Sequence, residues 1–211
     1  MSPGLIVVDF DGTITERDTL DEMCRRLIPG IYKQVEVDLL ADRITLRECI
    51  RREFEAIHGD HDQLVADAVD RTTVRAGFAE FVEAAESAGG RVVVVSSGFE
   101  AVIRPVLDRE GVGHLEIVAH EVRFGQDETL VEFRHGDPCP VCGQECKRSV
   151  VRELDGSVPV TYVGDGYSDR CAALDAERVF ARRTLARYLD GEGVAYTPFD
   201  DFVEIRAAMG L

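Results

Sequence analysis

The sequence predicts an α/β fold, a parallel sheet flanked by helices that carries one helical insertion and one small β-hairpin insertion. Short apolar runs rich in β-branched residues alternate with segments of helical period, a pattern typical of right-handed βαβ crossovers. Two interruptions, residues 17–75 and 120–146, break this alternation. The length of 211 residues leaves room for both interruptions beside a domain core of ordinary size.

The predicted strands are short and mostly aliphatic. The first, residues 5–9, begins Leu-Ile-Val-Val, and four aliphatic residues in a row fit a strand of a parallel sheet that is buried on both faces. Further strands are predicted at residues 91–95, 115–118, 160–163 and 178–180. Helical patterns are predicted at residues 77–87, 99–109, 147–154, 168–176 and 184–189.

The first interruption predicts a helical unit. Residues 17–75 are charged, follow a helical period and contain no convincing strand. We therefore expect residues 17–75 to form an all-helical insertion, and residues 1–16 and 76–211 to form one core around it.

The second interruption predicts a hairpin followed by a cysteine-rich loop. Two extended pieces, residues 121–124 and 130–133, are separated by Gly125-Gln126-Asp127, a sequence typical of a turn. Cysteines follow as far as Cys146, so residues 120–146 are expected to form a small insertion within the core.

The charge balance argues against several classes of partner. With 24 basic and 40 acidic residues, the formal net charge is -16, which opposes binding to nucleic-acid phosphates and to anionic membranes. The N-terminus lacks a basic segment followed by an apolar stretch of signal length, and no apolar run approaches the ~20 residues that span a bilayer. We therefore expect a cytoplasmic protein that binds neither nucleic acid nor membranes, and the sequence carries no signal of its oligomeric state.

Polar side chains follow three of the predicted strands at the points where those strands end. They are Asp9 and Asp11, then Ser96-Ser97-Gly98, then Asp165 and Asp169, in that order along the chain. The carboxyl ends of parallel strands share one edge of a sheet, where open α/β sheets bind their ligands. Lys147 begins a predicted helix that leads into one of these strands. We therefore expect all these groups to meet in one site.

Four carboxylates at one edge of a sheet would repel one another unless a cation neutralised them. A hard divalent ion with oxygen ligands, most simply Mg²⁺, suits Asp9, Asp11, Asp165 and Asp169. For the acids taken alone, the alternative is a turn or a helix cap, because Asp and Thr suit both roles. For Ser96 the alternative is a strand-end hydroxyl with its hydrogen bonds satisfied, and for Lys147 it is a helix start in solvent. Four motifs in order along one chain favour a site over unrelated turns.

These groups indicate phosphoryl transfer. A carboxylate such as Asp9 can attack phosphorus and form an acyl phosphate, which splits one slow displacement into two easier steps. Asp11 can protonate the departing alkoxide and later deprotonate the attacking water. Lys147 and Mg²⁺ would offset charge on the phosphoryl oxygens, and the Ser96-Ser97-Gly98 segment would bind those oxygens, with the Ser96 hydroxyl as a donor. The sequence therefore predicts a phosphatase.

Together the motifs resemble those of the haloacid dehalogenase superfamily of phosphatases. The resemblance rests on Asp9-Phe10-Asp11-Gly12-Thr13, Ser96-Ser97-Gly98, Lys147 and the segment from Gly164 to Asp169, whose order and spacing cover nearly the whole chain. It implies a Rossmann-like core, with Asp9 as the nucleophile and Asp11 as the acid/base whose backbone carbonyl binds Mg²⁺. It also implies Asp165 as a carboxylate ligand and Asp169 in the outer shell of the metal.

The helical insertion resembles the cap of the phosphoserine phosphatase-like branch. Within that branch, Cys146-Lys147 and Tyr162-Val163-Gly164-Asp165-Gly166 resemble the methylthiopentenyl phosphate phosphatases of methionine salvage and the phosphoethanolamine/phosphocholine phosphatases. Val179-Phe180-Ala181-Arg182 and Pro198-Phe199-Asp200-Asp201-Phe202 favour the methionine-salvage group. The resemblance implies hydrolysis of a small phosphorylated metabolite, with a phosphoserine or phosphoethanolamine-type substrate as the alternative. Ser97 departs from the pattern, because many relatives have glycine there.

The cysteines late in the second interruption have metal-ligand spacing. Cys139, Cys142 and Cys146 follow the pattern C-x2-C-x3-C with His135 four residues ahead, and these four side chains could form a tetrahedral zinc site. The alternative is a loop of reduced thiols or one disulfide, because a second CxxC is lacking. Cys171 is expected to pack on its own predicted helix.

Substrate choice is expected to come from the helical insertion, which would close over a small metabolite. Asp18 could meet a substrate amine or hydroxyl, and Arg52 could meet a carboxylate, a carbonyl or a phosphate. Arg47 and Arg51 offer the same planar donors, with a charged helix face in solvent as the alternative, and the family resemblance favours Arg52 among the three. The insertion has no Trp and few other aromatic residues, which disfavours a phosphocholine cation as the substrate.

Two other functions use similar groups. A signalling receiver domain also combines a phosphorylated Asp with a hydroxyl and a lysine at strand ends, but it needs neither Asp11 as an acid/base nor a helical cap. A phosphomutase could use the same core. The second acidic pair, Asp165 and Asp169, also favours the phosphatase over the receiver domain.

Overall fold

A seven-stranded sheet is the central element of the computed structural model, which describes residues 3–134, 139–143, 146–154 and 158–211. Its strands are β1 (Leu5–Val8), β2 (Arg91–Phe99), β3 (Glu116–Arg123), β4 (Leu130–Glu132), β5 (Val160–Gly164), β6 (Arg178–Ala181) and β7 (Thr197–Pro198). They lie in the order β4-β3-β2-β1-β5-β6-β7, and every neighbouring pair is parallel except β3 and β4. The predicted α/β fold is therefore confirmed.

Helices connect most of the strands. Those described are α1 (Thr19–Leu27), α2 (Pro29–Leu40), α3 (Leu46–Phe54), α4 (His61–Arg71), α5 (Phe78–Ser87), α6 (Glu100–Arg109), α7 (Lys147–Leu154), α8 (Arg170–Ala173), α9 (Arg183–Glu192) and α10 (Phe202–Met209). Thr45 and Asp60 begin α3 and α4, because each side chain accepts a hydrogen bond from a backbone N–H three residues on. Among the residues described, no helix is both long enough and apolar enough to cross a bilayer.

The side chains of β1 alternate between two apolar layers. Ile6 and Val8 contact the layer that α5, α6 and α10 complete, whereas Leu5 and Val7 contact the layer of α7, α8 and α9. All four side chains are buried, as the aliphatic run predicts. Because β1 is the middle strand of the sheet, the residues that follow it lie between β2 and β5.

A third apolar layer holds the helical segment against the end of the sheet. Phe54 of α3 packs edge to face on Phe99 at the end of β2, with ring centroids 4.6 Å apart. Phe124, in the turn between β3 and β4, lies beside Phe54 with a centroid distance of 6.3 Å. The backbone N–H of Gly59 also donates to the carbonyl of Gly125 at 2.9 Å. The β3–β4 hairpin therefore supports the helices that precede it in the chain.

Two strands extend several residues beyond their predicted ends. β2 continues through Phe99, which pairs with His120 of β3 after a shift of register beyond Val95. β3 continues as far as Arg123, so the first piece of the predicted hairpin is mostly the end of this strand. Val122 is buried against the helical segment, and this burial favours an extended backbone past the polar Glu121. Each strand thus continues past its apolar run into polar residues, several of which are buried, such as Ser96 and His120.

The C-terminal segment holds two elements that the sequence pattern does not predict. β7 has two residues, too few for a period to show, and pairs with β6. α10 packs Phe202 and Ile205 into the layer beneath β1, but its eight residues are too short for a strong helical signal. α8 is shorter than the predicted helix at residues 168–176, because the chain before Arg170 forms a turn around the Asp169 carboxylate.

Arg75 joins the turn after β1 to the C-terminal part of the chain. Its buried guanidinium donates to the carbonyls of Gly12 at 3.1 Å, Thr13 at 2.9 Å, Thr15 at 3.0 Å and Asp200 at 3.0 Å. A planar guanidinium offers donors in fixed directions, which suits several carbonyls held at set positions. Arg75 thereby fixes the backbone that carries the acids after β1.

We predict that Arg75→Met lowers the free energy of unfolding by about 2–4 kcal/mol, because four carbonyls lose a charged donor. Urea denaturation measures this change. Arg71→Met is the control, because the exposed Arg71 pairs with Asp67 at the surface (Nε–Oδ1 3.0 Å) and should contribute less than about 1 kcal/mol. Equal losses for the two variants would contradict the role assigned to Arg75.

Candidate active site

The predicted residues from three strand ends line one cavity at the carboxyl edge of the sheet. Asp9 and Asp11 follow β1, the Ser96-Ser97-Gly98 segment ends β2, and Asp165 follows β5. Helices α1, α2 and α3 supply the opposite wall of the cavity. The sheet order explains the convergence, because β1 lies directly between β2 and β5.

Lys147 begins α7 and places a fully buried ammonium between two carboxylates. Its Nζ donates to Oδ1 of Asp9 and, at 2.7 Å, to Oδ1 of Asp169. Burial alone would lower the pKa of Lys147, but the charges of Asp169 and Asp9 outweigh this effect and raise that pKa above its usual range. The side chain is therefore a permanent cation next to Asp9.

Both carboxylate oxygens of Asp169 accept hydrogen bonds from the protein. Oδ1 accepts from Lys147 and from the Tyr162 hydroxyl at 2.8 Å. Oδ2 accepts from the backbone N–H groups of Asp165 at 3.0 Å and Gly166 at 2.8 Å. Asp169 therefore holds the lysine on one side and the turn that carries Asp165 on the other.

Three carboxylates lie close enough to share a cation, because one oxygen each of Asp9, Asp165 and Asp169 lies within 4.8 Å of the others. Burial, followed by the charge of Asp169, raises the pKa of Asp9 well above its usual value and that of Asp165 to about 6. The Thr13 hydroxyl donates to Oδ2 of Asp9 at 2.9 Å and lies 3.4 Å from Oδ1 of Asp165. Hard oxygen donors that repel one another fit a divalent cation such as Mg²⁺.

Two glycines allow the acids to approach neighbouring backbone. Gly12 has a φ of +76°, and a Cβ at this position would lie 2.4 Å from Oδ2 of Asp165. A Cβ on Gly98 would lie 2.7 Å from Oδ2 of Asp11 and 3.1 Å from Oγ of Ser96. Any side chain at either position would displace groups of the site, so both motifs require glycine there.

Asp11 faces the same cavity and is held by the first residue of α1. Its Oδ1 accepts from the backbone N–H of Thr19 at 2.8 Å and from the Thr19 hydroxyl. Burial, followed by the charge of Asp18, raises the pKa of Asp11 to about 7 in spite of these bonds. A carboxyl group with this pKa can give up and take back a proton near neutral pH.

The Ser96-Ser97-Gly98 segment lines the cavity opposite the acids of β5. Ser96 is buried, and its Oγ accepts a hydrogen bond from the backbone N–H of Gly98 at 2.9 Å. The Ser96 hydroxyl proton can therefore be donated to a ligand. Ser97 is half-buried, so the side chain that departs from the family pattern is accommodated at the cavity wall.

The two residues predicted to bind substrate lie in different places. Asp18 lines the cavity and also caps α1, because its side chain accepts from the backbone N–H of Asp21 at 2.9 Å. Arg52 is exposed on α3 and pairs with Glu48, with 2.6 Å between Nε and Oε1. Of these two predicted residues, only Asp18 is among the described residues that line the cavity.

Helix α3 contributes an acid that the sequence reasoning missed. Glu53 lines the cavity and is 6% exposed, and its Oε1 has no hydrogen-bond partner among the described residues. Burial, followed by the charge of Glu36, raises the pKa of Glu53 to about 7. The helical period could have found this residue, because Glu53 shares the buried face of α3 with Cys49 and Ile50.

Three more residues of the site were not predicted. Tyr162 and Thr19 donate to the acids as described above. Arg183 is the one basic side chain among the described residues that line the cavity, and its Nη1 lies 3.5 Å from Oδ2 of Asp165. Tyr162 belongs to an apolar strand and the other two begin helices, so no local pattern distinguishes them from structural residues.

The three clustered cysteines predicted as zinc ligands come together, and Cys171 joins them. The Sγ atoms of Cys139, Cys142, Cys146 and Cys171 all lie within 4.8 Å of one another. His135, the predicted fourth ligand, lies outside the described residues. Cys171 does more than pack on its own helix, because α8 contacts α7 and brings this sulfur to the other three.

Residues 6–174 match the family model of the haloacid dehalogenase-like hydrolases. The chain therefore belongs to this family. The resemblance drawn from the sequence motifs and the predicted hydrolase class are both confirmed.

Similar proteins span nearly the whole chain. An Exiguobacterium protein named 2-hydroxy-3-keto-5-methylthiopentenyl-1-phosphate phosphatase is 29% identical over 97% of this chain and 96% of its own. A Bacillus cereus protein of the same name is 29% identical over 98% of this chain and 95% of its own.

Solved structures with the same fold include two phosphoserine phosphatases. A phospho-aspartyl intermediate analogue has a TM-score of 0.73 and 19% identity, and it covers 99% of both chains. A substrate-bound complex has a TM-score of 0.72 and 17% identity, and it covers 98% of this chain and 97% of the other. The fold of this protein is thus the fold of these structures over almost its full length.

We predict that Tyr162→Phe lowers the free energy of unfolding by about 1.5–3 kcal/mol, because it removes a buried hydrogen bond to the charged Asp169. Tyr196→Phe is the matched control, since Tyr196 is only partly buried at the edge of an apolar layer and loss of its hydroxyl should change stability by less than about 0.5 kcal/mol. Urea denaturation compares the two. An unchanged midpoint for Tyr162→Phe would show that this bond contributes nothing.

Proposed function

We propose that this protein is a Mg²⁺-dependent phosphatase that hydrolyses small phosphate monoesters through a phosphorylated Asp9. The observation that carries the proposal is the buried ion pair of Lys147 with Asp9 and Asp169, beside Asp11 at a cavity that Ser96 also lines. Membership of a hydrolase family supports it. A signalling domain that stores an acyl phosphate is disfavoured, because an acid/base such as Asp11 would shorten the life of that acyl phosphate.

Asp9 and Asp165, together with the backbone carbonyl of Asp11, would hold the magnesium ion. Asp169 would lie behind these ligands, because protein donors already occupy both of its oxygens. When bound, Mg²⁺ neutralises the acids and polarises the phosphoryl group. Burial, followed by repulsion from Asp169, raises the pKa values of Asp9 and Asp165, and a bound cation would relieve both effects.

Asp9 is the proposed nucleophile. Its carboxylate attacks phosphorus as the bond from phosphorus to the alkoxide oxygen breaks, and Asp11 donates its proton to that oxygen. Asp11, now ionised, takes a proton from a water molecule whose oxygen attacks the phosphorus of phospho-Asp9. The bond between Asp9 and phosphorus then breaks, which releases inorganic phosphate and restores both acids.

Lys147 and the end of β2 would stabilise the phosphoryl oxygens. The ammonium of Lys147 lies next to Asp9 and offsets negative charge that develops on those oxygens. The Ser96 hydroxyl donates to one of them, and the backbone of Ser97 and Gly98 lines the space they occupy. Because the fold holds these groups in place, little reorganisation is needed when the ester binds.

The favoured substrate is 2-hydroxy-3-keto-5-methylthiopentenyl-1-phosphate or a closely similar metabolite. Relatives named for this activity align over nearly the whole chain. In this proposal residues 17–75 act as a cap over the cavity, where Leu20, Leu39 and Ile50 lie beside the acids and suit a substrate with an apolar tail and polar oxygens. Such a substrate supports a cytoplasmic location, without a nucleic-acid or membrane partner.

An amine-bearing ester of the phosphoethanolamine type is the second candidate. The helical wall lines the cavity with Asp18, Asp21, Glu36 and Glu53 and, among the described residues of α1, α2 and α3, with no basic side chain. A substrate amine would find anionic partners at this wall, whereas the carboxylate of phosphoserine would be repelled there. Phosphoethanolamine is therefore favoured over phosphoserine as the alternative.

We predict that the protein with Mg²⁺ releases phosphate from at least one small monoester, and that Asp9→Asn abolishes this release. Asp11→Asn should lower kcat by about 10²–10⁴-fold, the usual contribution of a general acid and base. Phosphate release is measured after circular dichroism has established that each variant is folded. Asp42→Asn, on an exposed turn with a φ of 53° that asparagine tolerates, is the matched control and should keep full activity.

Removal of the metal completes this test. A chelator should abolish phosphate release, and added Mg²⁺ should restore it, because the repulsion among the acids is then offset. Full activity of Asp9→Asn would overturn the mechanism. Full activity in the chelated protein would overturn the metal requirement.

A screen of diketo, amine, amino-acid and sugar phosphates separates the substrate candidates. Turnover chiefly of the diketo ester supports the first, turnover chiefly of phosphoethanolamine supports the second, and turnover of neither rejects both.

Glu53→Gln is predicted to raise KM for the true substrate by up to about tenfold, because an unpartnered buried acceptor at the cavity is altered. Arg52→Gln is the control on the same helix, because Arg52 does not line the cavity. An equal rise in KM for Arg52→Gln would contradict the assignment of Glu53 to the substrate site.

A further inference from the structure

Four cysteine sulfurs form a cluster apart from the carboxylate cavity. Cys139 and Cys142 belong to the loop after the hairpin, Cys146 directly precedes α7, and Cys171 lies on α8. Their Sγ atoms all lie within 4.8 Å of one another. Thiols are weak hydrogen-bond donors and acceptors, so hydrogen bonding gives little reason for four of them to converge.

The mutual spacing of the four sulfurs fits a tetrahedron. In a flat square, diagonals within this limit would press neighbouring sulfurs closer than their ordinary non-bonded contact. In a tetrahedral site with Zn–S distances of about 2.3 Å, the sulfurs lie about 3.8 Å apart, which is inside the observed limit. The sulfurs are therefore close enough together for all four to bind one metal ion.

The backbone of the loop that carries Cys139 and Cys142 favours metal binding by these two cysteines. The backbone N–H of Val141 donates to Sγ of Cys139 at 3.4 Å, a bond that favours the thiolate, the form that binds metal. The N–H of Gly143 donates to the carbonyl of Cys139 at 2.8 Å. Gly143 has a φ of +69°, which glycine adopts without strain, and this conformation closes the loop after Cys142.

A fixed cation lies next to the cluster. Nη1 of Arg148 is 4.0 Å from Sγ of Cys139, and the same guanidinium is held by Asp175 at 2.6 and 2.9 Å. Four thiolates around a divalent ion carry a net charge of about -2, so a positioned guanidinium is favourable there.

We propose that these four cysteines bind one structural Zn²⁺, with release of the thiol protons to solvent. Four protein ligands close the site, which is characteristic of structural zinc rather than catalytic zinc. Cys146 adjoins Lys147, and Cys171 lies two residues after Asp169, so the ion fixes the start of α7 relative to α8. The ion thereby holds Lys147 and Asp169 in fixed positions relative to each other, and it takes no part in hydrolysis.

Elemental analysis of the full chain, purified under reducing conditions, tests the site. We expect one zinc per chain in the wild type and in His135→Ala, and loss of that zinc with a lower melting temperature in Cys171→Ser. Cys24→Ser, a buried thiol of the helical segment, is the matched control and should keep the ion. Retention of zinc by Cys171→Ser, or its loss in His135→Ala, would overturn the four-cysteine assignment.

Cobalt substitution in the wild type keeps the test decisive if Cys171→Ser does not fold. Co²⁺ bound by four thiolates should show intense sulfur-to-cobalt charge-transfer bands and tetrahedral d–d bands. Wild type that binds neither zinc nor cobalt, or that carries iron instead, would refute the proposal, as would a disulfide between any two of these cysteines in the reduced preparation. Because the readouts are metal content and absorption, they stand apart from any measurement of phosphatase activity.

Discussion

The burial of the Lys147 ammonium is the interaction on which the rest of the site depends. A lysine without solvent contact is tolerated because Asp9 and Asp169 both bind it, and removal of one partner from such a pair costs about 3–5 kcal/mol. Three separate elements must therefore meet at one point: the end of β1, the turn after β5 and the start of α7. The adjacency of β1 and β5 in the sheet makes this meeting possible.

A second constraint is the concentration of negative charge in a protein whose formal net charge is already -16. Hydrogen bonds from Thr13, Thr19 and Tyr162 hold the individual acids, and glycine at position 12 lets Asp165 approach the backbone. Their remaining repulsion makes a bound cation favourable. In the proposed mechanism one bound metal would both offset this repulsion and take part in the chemistry.

Elements outside the cavity also support the residues of the site. Phe124 of the hairpin packs on Phe54 of α3, so the hairpin supports the helix that carries Glu53 at the cavity wall. The cysteine cluster lies where α7 and α8 begin, close in the chain to Lys147 and Asp169. Elements outside the cavity thus support both its helical wall and the buried ion pair.

The sequence by itself determined the α/β fold and the positions of Asp9 and Lys147 at element ends, because apolar runs and the charges that end them are local patterns. Only the tertiary structure decided that Cys171 joins the other cysteines, and that Glu53 rather than Arg52 lines the cavity. These outcomes depend on how α7 packs against α8 and on which face of α3 turns inward. The period of α3 indicates that Glu53 lies on its buried face, but only contacts between residues far apart in the chain place that face at the cavity and Cys171 beside the other cysteines.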